Sequence, residues 1–163
     1  MNLVFLDLEE TVIASWDDQT LLPGRIAHIK EFLDGATAHD GVEIGLASWA
    51  VWNDRDKSQF NNNLREDLEN ALGHKFDDRF VWSMDDWAKE LFVHTGKLME
   101  RSELFDIFGK EEVLIKMARC HPLFSDKNVL LFDDRVEHNL HIVSPNNRSQ
   151  LLFVNILQSI KEN

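Results

Sequence analysis

The sequence predicts an α/β fold, a Rossmann-like three-layer sandwich with a central, mainly parallel sheet. Three observations point there. Leu3 to Leu6 form a short apolar run that ends abruptly in Asp7, the pattern of a strand buried on both faces. The pattern returns at Val129 to Phe132, which runs into Asp133 and Asp134. Around these two runs lie further apolar stretches of strand length and segments whose apolar residues recur at helical spacing.

The elements follow in order. After the first strand, residues 12–24 read as an irregular loop or short hairpin ending at Pro23-Gly24. From Arg25 to Leu33, the residues Ile26, Ile29, Phe32 and Leu33 share one helical face, and Gly35 is expected to stop that helix. Val42 to Ser48 is the second strand. Phe60, Leu64, Leu68, Ala71 and Leu72 suggest a helix over 54–72, closed by Gly73. Phe76 to Trp82 holds a short strand, and Ser83 opens a capped helix. Residues 103–108 read as a turn, and a helix over 110–120 carries Val113, Leu114, Met117 and Ala118. After strand 129–132 comes a loop around Pro145, then the run Leu151 to Leu157, either a final strand or a strand passing into a short helix. No internal repeat interrupts this plan, so one domain over 1–163 is expected, with room for a small helical insert at about 74–108.

Composition bounds the function. A chain of 163 residues, 44% hydrophobic and 28% charged, has the make-up of an ordinary globular domain with a substantial core. The first strand begins two residues after Met1, no apolar run reaches the roughly 18 residues of a membrane span, and Cys120 is alone. A cytoplasmic protein with no membrane contact is the expectation. Only 17 basic residues stand against 29 acidic ones, for a net charge of −12. That balance argues against extended nucleic-acid binding, which needs a basic face, but leaves room for a small phosphoester or a single nucleotide end. There is no Walker-type or Rossmann-type glycine loop, which argues against a nucleotide-dependent kinase.

The strand-end acids carry the chemistry. In open α/β sheets, ligands bind just beyond the carboxyl ends of the strands. If the first strand and strand 129–132 are neighbours, Asp7 and Asp133 converge there, and carboxylate oxygens gathered in this way suit Mg²⁺. A single such junction is as well explained by an aspartate capping the next helix. Two junctions, the first reading Asp7-Leu8-Glu9-Glu10-Thr11, favour the metal.

At these residues the chain resembles the haloacid dehalogenase (HAD) superfamily of aspartate-dependent phosphotransferases. Asp7-Leu8-Glu9-Glu10-Thr11 is similar to the family's first motif, Asp-x-Asp-x-Thr, with Glu9 at the second acid. Val42 to Ser48 resembles the second motif, Lys110 at the start of a helix the third, and Leu130 to Glu137, with Asp133 and Asp134, the fourth. The resemblance spans nearly the whole chain and implies a phosphomonoesterase of the capless or minimally capped kind. Its partner would be a phosphorylated small molecule or an exposed phosphoester on a larger substrate, and a second subunit is allowed as a cap.

The resemblance also implies roles. Asp7 is the nucleophile, and Mg²⁺ is held by Asp7, the Glu9 carbonyl, Asp133 and Asp134. Ser48, Lys110 and the backbone N–H groups of Leu8 and Trp49 hold phosphate oxygens, while Glu9 serves as acid and then base. Asp134 and Glu137 would support the metal or hold Lys110, and Asn139 is a further neighbour. The extra methylene of Glu9 moves its carboxyl by about 1.5 Å, and misplacement on that scale costs on the order of 100-fold in rate. Two other readings therefore stand beside the phosphatase: a weak or inactive binding module of this fold, and a nucleotidase or nucleic-acid end phosphatase with Trp16, Trp49 or Trp52 as a stacking wall.

Each residue also has a plainer reading. Ser48 is a possible helix cap, Lys110 a solvated first-turn lysine with Lys116 as its rival, and Trp82 and Trp87 core residues. His138 and His141 have the i, i+3 spacing of a metal pair on a helix, but no third ligand is evident.

Overall fold

The computed structural model describes residues 1–104, 109–143 and 150–162. Five strands form one sheet: β1 (Asn2–Leu6), β2 (Val42–Leu46), β3 (Asn128–Asp133), β4 (Leu140–Val143) and β5 (Gln150–Asn155), in the order β2-β1-β3-β5-β4. The first three pairings of that order, as far as β5, run parallel, and β4 pairs antiparallel at the edge. Leu6 stands opposite both Leu46 and Phe132, so the carboxyl ends of the three central strands share one rim.

Strand periodicity then sorts the side chains. Val4, Leu6, Ile44, Leu46, Leu130, Phe132 and Val154 enter one core, whereas Leu3, Phe5, Val129, Leu131, Leu151 and Phe153 enter the other. The first is covered by Ile26, Ile29 and Leu33 of α1 (Pro23–His39) and by Phe60, Leu64, Leu68 and Leu72. The second is covered by Trp87 and Leu91 of α4 (Met84–Thr95) and by Val113, Leu114 and Met117 of α5 (Gly109–Cys120). Helices on both faces of a mostly parallel sheet are what strands apolar on both faces require. Trp82 and Trp87 lie in that second core, with Trp82 stacked on Phe124 at 6.2 Å.

Several elements depart from the sequence pattern. Helix α1 continues through Gly35 to His39. A helical glycine costs roughly 1 kcal/mol, but packing of Ile26, Ile29 and Leu33 keeps the helix going. The expected helix over 54–72 is three pieces: α2 (Asp54–Gln59), a π-helical turn at Phe60–Leu64 and α3 (Arg65–Leu72). The apolar residues 60, 64, 68 and 72 recur every fourth position, more than the 3.6 residues of an α-turn. One wider turn keeps all four on the core face. Gly73, at φ 72°, closes α3 in the left-handed region.

Strand β2 ends at Leu46 rather than Ser48, and the strand expected at 76–82 reduces to one bridge, Leu46 to Val81, after a 3₁₀ turn. The expected hairpin at 12–24 is present, bridged by Ile13 and Leu21. The last apolar run is a strand passing into helix α6 (Ile156–Glu162). His141 lies on strand β4 and His138 bonds Glu162, so the helical histidine pair is not formed. Of the turn at 103–108, residues 105–108 lie outside the described residues, as does the loop around Pro145. Among the described residues, no helix is long and apolar enough to cross a membrane.

Two substitutions test this packing. A Cβ on Gly45 would lie 2.6 Å from Phe5 Cε1 and 2.7 Å from Phe80 Cβ. Gly45→Ala is expected to destabilise the protein by about 1–3 kcal/mol, as overpacking does, measured by urea unfolding.

Asp86 closes a capping box with Ser83 and accepts a 2.7 Å hydrogen bond from Lys57. Burial alone would raise its pKa, but the Lys57 ammonium and the Ser83 N–H outweigh that and hold it below the usual carboxylate value. Its unfolded form therefore binds the proton more readily, so its contribution is present above the ordinary pKa and is lost as pH falls through the folded one. Asp86→Asn is expected to cost about 1 kcal/mol at pH 7. The gap to wild type should close below about pH 4, measured by denaturation across pH.

Candidate active site at the sheet's carboxyl rim

Asp7 is the first residue beyond β1, and its N–H continues the ladder to Phe132 O at 3.0 Å. Asp133 ends β3 on the adjacent strand. The alignment of β1 with β3 is what brings the two carboxylates together. Both residues are buried, which only a partner of opposite charge makes tolerable for their carboxylates. That partner is Lys110, in the first turn of α5, whose Nζ lies 2.6 Å from Asp7 Oδ1 and 2.6 Å from Asp133 Oδ2. Lys116 instead pairs with Glu112 along the helix. From sequence, Asp134 and Glu137 are the acids expected to support the metal or hold Lys110; Glu137 is exposed, and the ion partners of Lys110 are Asp7 and Asp133 instead.

The remaining oxygens separate capping from chemistry. Asp133 Oδ1 accepts the Arg135 N–H at 2.8 Å, so this carboxylate also shapes the turn after β3. Among the described residues, no backbone N–H of a following turn bonds Asp7. Its Oδ2 takes the Thr11 hydroxyl proton at 3.0 Å, leaving the group clamped between Thr11 and Lys110. Thr11 is fully buried, and it belongs to the first motif without having been assigned a role from sequence.

Asp7, Asp133 and Asp134 each offer an oxygen within 4.8 Å of the others. Three carboxylates face one ammonium, so the cluster carries more negative than positive charge. Burial, and after it the charges of Asp133 and Asp134, outweigh Lys110 and push Asp7 up to about 7. Asp134 is raised by burial and by Asp133. Lys110 is raised too, because the Asp7 and Asp133 charges outweigh its burial. An all-oxygen donor set with surplus negative charge fits a hard divalent cation such as Mg²⁺.

The loop after Asp7 is tightly wound: the Leu8 carbonyl accepts N–H groups from Thr11, Val12 and Ile13. Glu10 takes a left-handed φ of 62° and its carbonyl accepts from Arg25. Glu9 Oε2 accepts the Trp16 N–H at 2.9 Å, which ties this side chain to the hairpin. Ser48 is fully buried, and its Oγ accepts the Ala50 N–H at 3.3 Å in the turn after β2. The Trp49 ring lies 5.7 Å below the Lys110 ammonium and packs edge-on against Trp87. The exposed indole is Trp52, with the Arg101 guanidinium 5.6 Å over its ring.

Sequence reasoning missed Asn155. It stands opposite Asp133 in the sheet register, and its Nδ2 donates to the Asp134 and Val136 carbonyls at 3.1 and 3.0 Å. It thereby fixes the loop that carries Asp134. The signal was there: a polar residue ending an apolar strand, as at Asp7 and Asp133. Asn139, named from sequence as a further neighbour of this corner, donates its backbone N–H to Phe153 O at 2.9 Å.

Comparison of the chain with protein-family models, with curated proteins and with solved structures gave no match in any of the three.

Proposed function

We propose that the chain is a HAD-like, Mg²⁺-dependent phosphohydrolase that cleaves a phosphomonoester through an aspartyl-phosphate on Asp7. The observation that supports it most is a buried carboxylate with no turn to cap, clamped by Thr11 and Lys110 beside two further acids at the sheet's carboxyl rim.

In the first step an Asp7 oxygen attacks phosphorus in line, and the bond from phosphorus to the leaving alcohol breaks. Lys110, the Ser48 hydroxyl and the N–H groups of Leu8 and Trp49 hold the equatorial oxygens. Asp7, Asp133, Asp134 and the Glu9 carbonyl would hold Mg²⁺, which neutralises repulsion between carboxylate and phosphate. Glu9 would give the leaving alcohol its proton. In the second step it would take one from the water that attacks phosphorus, the bond from phosphorus to the Asp7 oxygen breaks, and inorganic phosphate leaves with Asp7 regenerated. A capless or minimally capped HAD-like site suits a phosphorylated small molecule or an exposed phosphoester on a larger one.

Glu9 favours a second reading within the same site. With its carboxylate on the Trp16 N–H, the residue expected to deliver and remove protons is engaged elsewhere. General acid–base assistance supplies about 10²–10⁴-fold, so hydrolysis of the phosphoenzyme is the slow step and the protein is a weak enzyme or a phosphorylated binding module.

Glu9→Asp shortens the side chain, frees it from Trp16 and is expected to raise steady-state release by on the order of 10-fold. A fall in rate on this substitution would instead mark a pocket fitted to Glu9. The overall reading is tested by Mg²⁺-dependent phosphate release from mononucleotides, sugar phosphates, phosphopeptides and an aryl phosphate. Release from at least one is expected, and none from any would leave the binding module. A nucleotide preference that disappears in Trp49→Ala would point to the nucleotidase.

A further inference from the structure

On the opposite side of the second core from the sheet, two histidines and a carboxylate converge where α4 meets the end of α5. Glu90 and His94 stand one turn apart on α4, and His121 directly follows α5. His121 Nε2 lies 2.8 Å, and His94 Nε2 3.5 Å, from the same Glu90 oxygen. The two imidazole centres are 4.2 Å apart, and one ligand atom from each of the three residues lies within 4.8 Å of the others. Around a tetrahedral ion with bonds of about 2.0–2.1 Å, ligand atoms sit roughly 3.3 Å apart, close to the spacing already present. His121 is 4% exposed, and its ring lies 5.6 Å from those of Trp82 and Phe124. No step of the phosphoryl chemistry uses these residues.

We infer that Glu90, His94 and His121 form a binding site for a divalent transition-metal ion, Zn²⁺ foremost, with a fourth position open to water. Two imidazoles and one carboxylate suit Zn²⁺ and disfavour Mg²⁺ or Ca²⁺, which take oxygen ligands. The neighbouring Cys120 is not a ligand, since its thiol donates to the Lys116 carbonyl at 2.9 Å. One interaction opposes binding. His121 Nδ1 accepts the Leu123 N–H at 3.1 Å, which keeps the ring proton on Nε2, facing Glu90. Loading moves that proton to Nδ1 and gives up the Leu123 bond, so one backbone hydrogen bond is exchanged for three coordination bonds. The ion would join α4 to the end of α5.

The test is Zn²⁺ titration of the full chain in excess Mg²⁺, read by competition with a chromogenic chelator and by the melting midpoint. Wild type is expected to bind one Zn²⁺ and to melt higher with it. His94→Gln and Glu90→Gln should each bind at least 10-fold more weakly, while Asp134→Asn, altered in the acidic rim, should bind as wild type does. His94 is half-buried, so its variant should melt near wild type without metal. A wild type that takes up no Zn²⁺, either variant binding as tightly as wild type, or Zn²⁺ binding lost in Asp134→Asn would overturn the site.

Discussion

Asp7→Asn is expected to reduce phosphate release by on the order of 10⁴-fold or more, the scale seen when a nucleophile is removed, while the protein still folds. The amide keeps an oxygen for the Thr11 hydroxyl, and Lys110 keeps Asp133 as its ion partner. What disappears is the attacking carboxylate, one of the three acids gathered at the rim. The midpoint of thermal unfolding should therefore stay within a few degrees of wild type, and the loss should fall on chemistry alone. A variant as active as wild type would remove Asp7 from the mechanism.

Lys110→Met should have the largest effect on stability. The lysine side chain is 12% exposed and its two carboxylates 7% and 4%, so little solvent is at hand to replace the ammonium. Removing one partner from a buried ion pair costs about 3–5 kcal/mol, chiefly because the other charges remain buried and unpaired. Thermal unfolding in chelator should show a midpoint lower by roughly 10 °C, at about 2–4 °C per kcal/mol for a chain of this size. Added Mg²⁺ should recover more of that loss in the variant than it adds to the wild type, since the acids then have no other cation. Equal shifts in the two proteins would count against Mg²⁺ at these acids.

The parts of this site legible in the sequence are those that physics forces into a local pattern. A strand buried on both faces reads as a continuous apolar run, and a carboxylate closing it is costly unless used, so Asp7 and Asp133 stand out. Their meeting depends on β1 lying next to β3, which a run of residues does not encode. Lys110 was found through family resemblance, since a lysine in a first helical turn has no distinctive pattern of its own.

Other features were hidden by distance or by short elements. Strand β4 has only four residues, alternately half-buried and exposed, and it contains His141, whose spacing from His138 imitates a helix. The π turn at Phe60–Leu64 shows only as a repeat of four where 3.6 is usual. Glu9 reaches the hairpin because of where the chain after Asp7 folds back, and His94 meets His121 only because α4 packs on α5. Neither contact is visible before the tertiary fold is known.

The most direct test of the proposed chemistry is the covalent state of Asp7 during turnover. Wild-type protein would be mixed with an aryl phosphate and Mg²⁺, quenched in acid within the first turnover, and the peptide bearing Asp7 and Thr11 sequenced by mass spectrometry. The expected result is one phosphoryl group on Asp7, removed by hydroxylamine and missing from the Asp7→Asn protein. Mg²⁺-dependent turnover with Asp7 unmodified at every quench time, or a phosphoryl group that persists in Asp7→Asn, would contradict it.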